Sequence, residues 1–290
     1  MNQSIIHGIK QKFTITSLSI NKFIQEGFIM TKWHIGAIGL AASLAFAAAA
    51  EAAPGAMTKE TLTVGTESTF PPFEFRAPDG SLQGYDIDLI ESIGTKLGKK
   101  IEWVDMSFDG LLPAVMTHKI DLIAACMSAT PARQKKIAFT GVTNHSDSAF
   151  FVLPGHEKAA AADFAGLTIA TQLGTIQDAY AHTIPNAVVK NYQKSDDCLR
   201  EVLFGRADAA LLDGPVGYKY CQAKDFAGKI AICAVTNVAT ESKGSAFGAA
   251  KDDPELLAAV DKALEEMKQS DEFQTLRDKW GLDDWKKNVK

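Results

Sequence analysis

From Thr61 the chain alternates two periodicities. Short runs rich in β-branched residues, "TLTVGT", "IEWVDM" and "KIDLIAA", predict strands. Between them "YDIDLIESIGTKLG" and "DGLLPAVMTH" repeat apolar residues at helical spacing, with Ile90, Ile93 and Leu97 on one face. Asp86 stands where the first of these helices begins and is read as its cap. The repeat of strand and helix predicts a mostly parallel sheet covered on both faces.

A second series of the same kind starts near Phe150: "LTIATQ", a helix from Ile176, "AVVKNY", the helix "DDCLREVLFGR", the strand "DAALLD", the helix "PVGYKYCQ" and finally "IAICAV". After "SAFGAAK" come two amphipathic helices, "DPELLAAVDKALEEMKQ" and "DEFQTLRDKW", which follow neither series. No Gly/Ser-rich linker separates the two units. The connections "SDSAFFVLP" (146–154) and "AVTNVATES" (234–242) read instead as extended crossovers. Two crossovers mean that the chain leaves the first lobe and returns to it. That predicts a cleft between two α/β lobes, with ligands held outside the carboxyl ends of the strands.

Upstream the pattern changes. "MTKWHIGAIGLAASLAFAAAAEAAPGAM" combines Lys32, an alanine-rich apolar run and small residues before a cleavage site, the three parts of a secretory signal; cleavage is expected after Ala52 or Ala53. Residues 1–29 show no such pattern, and Met30 is a second candidate start. No cysteine lies near the cleavage site to accept a lipid, so the expectation is a soluble periplasmic protein. The 290 residues carry 30 Lys+Arg and 35 Asp+Glu, a net charge of −5. An acidic chain gains nothing from the counterion release that drives nucleic-acid binding, which argues against a nucleic-acid partner.

Cys126, Cys198, Cys221 and Cys233 form neither a CxxC pair nor a His/Cys metal spacing. In an oxidising compartment they are expected to be buried, or to supply one disulfide from the last three. No Walker loop, zinc motif or Ser/His/Asp order points to a cofactor or to a hydrolase.

The candidate chemistry sits at the strand ends. "KIDLIAA" delivers "CMSATPAR" to the cleft mouth, where Thr130-Pro131 reads as an N-cap and a first-turn proline. Arg133, one turn in, adds a planar fork that matches a carboxylate, and Ser128 adds a hydroxyl; together they read as a carboxylate clamp, or as an ordinary capped helix with a surface arginine. In the second lobe "ATQLGTIQDAY" repeats the form, with Gly174 a turn and Thr175 opening a helix. Asp213 ends "DAALLD", where it either meets a ligand ammonium or caps the helix beginning near Pro215. Glu67, Phe70 and Phe108 end strands of the first lobe on the same rim.

At these residues the sequence resembles the polar amino-acid binding proteins of ABC importers, periplasmic receptors for histidine, arginine, lysine, ornithine and glutamine. The likeness runs from about Thr61 to Trp285 and rests on six motifs in order: "FPPFEF", "GYDIDL", "FDGLLPAV", "KIDLIAACMSATPARQKKIAFT", "GTIQ" and "GRADAALLD". It implies a type II two-lobed periplasmic binding fold of the α/β class. Residues 58–148 and 239–287 would form lobe 1, residues 149–238 lobe 2, after an upstream segment and signal over 1–53.

The resemblance further implies that Arg133 and Ser128 hold the ligand carboxylate, helped by the backbone at Ala129 or Thr130 and by Thr175, with Gln177 of "GTIQ" in the same set. Asp213 takes the α-ammonium and Cys126 contributes its carbonyl. Phe70 and Phe108 flank the ligand side chain, and Glu67 meets a cationic tail, which puts arginine, lysine, ornithine or histidine ahead of glutamine. Departures from the family pattern are Asn144 and His145 after "FT", Cys126 in place of a small residue, and Ile176 in place of threonine or serine. The implied function is ligand capture by a single chain without cofactor, and delivery to a membrane permease. The rival reading is a dehydratase of cyclic precursors on the same fold, with Glu67 or Asp213 moving a proton; a sensor lobe of a larger receptor is a third.

Overall fold

A computed structural model describes residues 55–238, 242 and 244–288. The signal segment and both candidate start sites fall outside the described residues.

Two five-stranded sheets carry the protein. In the first lobe the strands are β1 (Thr61–Thr66), β2 (Thr69–Phe70), β3 (Glu74–Arg76), β4 (Leu82–Gln83), β5 (Lys100–Asp105), β6 (Leu122–Ile123) and β7 (Ala138–Phe139). The second contributes β8 (Ser148–Val152), β9 (Thr168–Gln172), β10 (Val188–Tyr192), β11 (Ala209–Asp213) and β12 (Ala231–Thr236), and β13 (Gly248–Ala249) closes the first sheet. The orders are β5-β1-β6-β13-β7 and β10-β9-β11-β8-β12, with β2-β3-β4 a small separate sheet.

Each large sheet has three parallel strands and then one running against its neighbours: β13 is antiparallel to β6 and β7, and β8 to β11 and β12. The segments read as crossovers are therefore partly strands of the second sheet, β8 and β12, and residues 239–241 lie outside the described residues. "KIDLIAA" supplies only the two-residue strand β6. The chain bends out of the sheet immediately afterwards, with Cys126 at φ +44°.

Helices cover the sheets as periodicity predicts: α1 (Tyr85–Leu97), α2 (Phe108–Met116), α3 (Pro131–Gln134), α4 (Ile176–Ala181), α5 (Ser195–Leu203), α6 (Gly214–Gln222), α7 (Pro254–Lys268) and α8 (Asp271–Trp280). Helix α1 buries Leu89, Ile90 and Ile93 and stops at Gly98, whose left-handed φ of 64° lets its N–H reach the carbonyls of Gly94 and Thr95. Its N-cap is Gly84 and no side chain caps it; Asp86 instead turns inward and is buried. Both α7 and α8 pack with α1 in the first lobe's core, through Leu256, Val260, Leu264 and Met267 of α7 and Phe273 and Leu276 of α8. Strands β8 and β11 are buried at every residue, as expected of strands covered on both faces.

The C-terminal segment does not stay in the first lobe's core. Leu282 is buried there, but Trp285, 1% exposed, packs with Ala149, Phe151 and Leu212 in the second lobe's core. All four cysteines are free thiols, so the single disulfide is not formed.

Gly84 has φ +141°, and a Cβ there would lie 2.0 Å from the Phe73 carbonyl oxygen. Gly84→Ala is expected to destabilise the protein by roughly 2–5 kcal/mol, read as a lowered urea midpoint with unchanged m.

Candidate functional site

The carboxyl ends of β1 and β6 face those of β9 and β11 across the gap between the lobes. Among the described residues, the hydrogen bonds that cross it include Arg133 Nη2 to the Gly174 carbonyl (2.9 Å), Gln172 Nε2 to Glu67 Oε2 (2.9 Å) and the Tyr220 hydroxyl to the Thr69 carbonyl (2.7 Å). The lobes are thus in contact, and the site lies between them.

On the first lobe, Thr130 caps α3 by accepting from the Arg133 N–H (3.3 Å), with Pro131 in the first turn. Helix α3 is a single turn, and the neighbouring amides are engaged: Ala129 N–H with the Gly244 carbonyl and Thr130 N–H with the Ser128 carbonyl, both at 2.9 Å. What the turn delivers is therefore the Arg133 guanidinium. Its Nη1 donates to the Ser128 carbonyl (2.8 Å), and it lies 5.3 Å from the Phe108 ring centroid. Burial pulls it down to about 10, so it stays charged at neutral pH.

Cys126 is buried, and its backbone is held at both ends. Its N–H donates to Asp86 Oδ2 (2.8 Å) and its carbonyl accepts from Ser245 Oγ (3.0 Å). Phe70 is half-buried and sits 6.1 Å from Phe73, ring centre to ring centre.

On the second lobe, Thr175 caps α4, accepting from the Asp178 N–H (3.1 Å) and donating to the Gln172 carbonyl (2.8 Å). Gln177 turns to Ser148 of β8, donating at 3.0 Å. Asp213 occupies the N-cap position of α6, but its side chain makes no capping bond. One oxygen accepts from Ser146 Oγ (2.6 Å), and the other is buried without a hydrogen-bond partner. Burial raises Asp213 to about 7, with the Asp147 charge adding to the rise and the Ser146 bond opposing it. A cavity of about 160 Å³ runs beside it, lined by Ser128, Ser146, Ile176, Asp213 and Ser245 among others. His145 lines it too, and is exposed.

Several functional groups escape the reading of strand ends. Gln172 is buried and fully used: beyond its bond to Glu67 it donates to the Gln193 carbonyl (3.0 Å) and accepts from Ser195 Oγ (3.0 Å). The signal for it was a long amide side chain ending the predicted strand "LTIATQ". Asp86 and Glu74 are each 1% exposed and each carry one buried oxygen without a partner. Burial raises Asp86 to about 7, opposed by the Cys126 N–H. Burial also pushes Glu74 well up, joined by the charges of Asp86, Glu67 and Asp213. Glu67 is raised too, by burial first and also by Asp105, while its bonds from Thr69 and Gln172 pull the other way. Glu67 and Asp213 thus lie at the strand ends that meet the gap, and Asp86 and Glu74 are buried acids of the first lobe whose charges act on this group.

Two α/β lobes of matching strand order, closed over polar groups from both, define the class of two-lobed solute-binding proteins. Residues 62–283 match the family described as bacterial extracellular solute-binding proteins, family 3, and the chain belongs to that family. It is 32% identical over 249 residues to the lysine/arginine/ornithine-binding periplasmic protein of Escherichia coli strain K12, covering 83% of this chain and 95% of that one. Among solved structures it resembles an ancestral arginine-binding protein bound to arginine, with a TM-score of 0.73, 33% identity, and coverage of 77% of this chain and 98% of that one. It also resembles an ancestral amino acid-binding protein described as a precursor of cyclohexadienyl dehydratase, with a TM-score of 0.70, 31% identity, and coverage of 77% and 96%.

The raised pKa of Asp213 has a defined sign. Between an ordinary carboxyl value near 4 and about 7, the unfolded chain ionises while the folded one stays protonated, so stability falls across that window. Asp213→Asn removes the loss. Its stability relative to the parent, measured by urea unfolding from pH 4 to pH 8, is expected to rise through the window and level off above about pH 7, with a gain of roughly 1–3 kcal/mol.

Proposed function

We propose that this protein captures a basic amino acid, arginine, lysine, ornithine or histidine, between its lobes in the periplasm and presents it to the permease of an ABC importer. The observation that carries the reading is a pair of buried acids at the strand ends: Asp213 has one oxygen without a hydrogen-bond partner, and Glu67 meets Gln172 across the gap. An α-ammonium relieves the first and a cationic tail is attracted to the second, so a ligand that carries both fits better than one with an uncharged tail.

Arg133 and Ser128 take the carboxylate, with Thr130 and Thr175 shaping the two turns that carry the clamp. Asp213 takes the α-ammonium on its free oxygen, beside the Cys126 carbonyl. The side chain runs between Phe70 and Phe108 to Glu67, whose position is fixed by Thr69 (2.7 Å) and Gln172. Gln177 supports α4 from behind through Ser148. Residues 58–148 and 239–287 form lobe 1 and residues 149–238 lobe 2, with the Trp285 turn reaching across to the second core. Ligand bound to one lobe favours closure because only the closed form adds contacts from the other. A single chain is sufficient for this, and the closed outer surface is what docks on the permease.

A second reading has one observation in its favour: Asp86 and Asp213, both raised to about 7, are poised for proton transfer of the kind a dehydratase needs. The two readings part in a thermal-shift screen of the purified protein, stripped of carried-over ligand, against the common amino acids, ornithine, citrulline and prephenate. Arginine, lysine, ornithine or histidine at a hundredfold excess over the dissociation constant is expected to add about 2.7 kcal/mol of apparent stability. Glu67→Gln should shrink that response to basic ligands more than any response to glutamine. A response to glutamine or glutamate alone would retire Glu67 as the specificity acid, and turnover of prephenate or arogenate would replace binding with catalysis.

A further inference from the structure

Leu282 and Trp285 are three residues apart, yet they are buried in the cores of different lobes. The strap between them is anchored on the first lobe by α8. Trp280 Nε1 and Lys279 Nζ both donate to Asp88 Oδ2 (2.6 and 2.7 Å), and Arg277 links Asn144 Oδ1 to Asp283 Oδ2, each at 3.1 Å. On the second lobe the Trp285 indole lies against Gly214, where a Cβ would come within 2.5 Å of the ring. Lys286 adds an ion pair with Asp147 at 3.8 Å, and the Asp147 carbonyl accepts from the Gly214 N–H at 2.9 Å.

Gly214 is the first residue of α6 and the neighbour of Asp213. The Asp213 side chain has a single hydrogen bond, from Ser146, and does not cap the helix it precedes. Where its buried, unpartnered oxygen points is therefore set largely by the backbone on which it stands, and that backbone is clamped from behind by the indole. A ring of this size in a close-packed interior tolerates little displacement, so its position is transmitted to Gly214 and from there to Asp213.

We propose that Trp285 is a positioning residue for ligand recognition: packed on Gly214, it fixes the start of α6 so that Asp213 meets the ligand's α-ammonium, and the C-terminal strap is thereby part of the binding machinery. This rests on the assignment of the ammonium to Asp213 under the proposed function. The glycine at 214 is required because any side chain there collides with the indole.

Titration calorimetry of the purified protein, Trp285→Ala and Trp285→Phe with two probes tests it. L-arginine carries the α-ammonium, and 5-guanidinopentanoate keeps the carboxylate and guanidinium without it. The parent is expected to prefer arginine by roughly a hundredfold or more, and Trp285→Ala to lose about tenfold or more of that preference through arginine, with Trp285→Phe restoring most of it. Equal weakening of both probes, or an unchanged preference, overturns the inference while leaving the Asp213 assignment standing. A parent that does not prefer arginine over its deaminated analogue overturns that assignment and the inference with it. If Trp285→Ala does not fold, Gly214→Ala, which displaces the ring without leaving a cavity, is compared in the same way.

Discussion

A buried carboxylate with one oxygen unsatisfied is the constraint on which the closed cleft turns. Asp213 gains a single hydrogen bond from Ser146, and Asp86 and Glu74 nearby each leave an oxygen without a partner. Such groups are costly to ionise in a protein interior and are relieved either by a proton or by a cation brought to them. The one guanidinium of the site, Arg133, is already engaged with backbone carbonyls of both lobes. Closure is thus coupled to whatever positive charge enters, which is how a small solute can decide between two arrangements of a large molecule.

The scaffold brings these groups together through its strand order. In each sheet the antiparallel strand, β8 or β13, is the one that arrives from the other lobe, so the segments that join the lobes are built into their sheets. The parallel strands β1, β6, β9 and β11 then end at the same gap: Gln172 and Asp213 are the last residues of β9 and β11, and the chain just after β1 and β6 presents Glu67 and Cys126. The strap from Leu282 to Trp285 adds a third tie between the lobes, seated on Gly214 next to Asp213.

Much of this was legible in the sequence because its signals are local. Period-two and helical patterns locate the strands and helices, and Thr130-Pro131 announces the turn that carries Arg133. What was not legible depends on direction. Asp86 looks like a cap at a helix start, but a first-turn acid can also face inward, and here it accepts the Cys126 N–H. Asp213 left two readings open, and the absence of a cap bond from its side chain appears only in the structure. Gln177 shares a motif with Thr175 but turns to Ser148, one helical step around. Gln172 and Glu74 gain their meaning from partners more than a hundred residues away or from shared burial, and no periodicity records that. In the sequence Trp285 only marks the end of the family likeness; its seat on Gly214 is visible only in three dimensions.

The measurement that tests the central claim most directly is proton release on binding. Titration calorimetry with L-arginine at pH 6, repeated in two buffers of different ionisation enthalpy, counts it. With Asp213 raised to about 7, the account predicts release of up to about one proton per ligand at pH 6, fading toward zero by about pH 9. Tight binding with no proton released at pH 6, or no binding of arginine, lysine, ornithine or histidine at any pH, would contradict it.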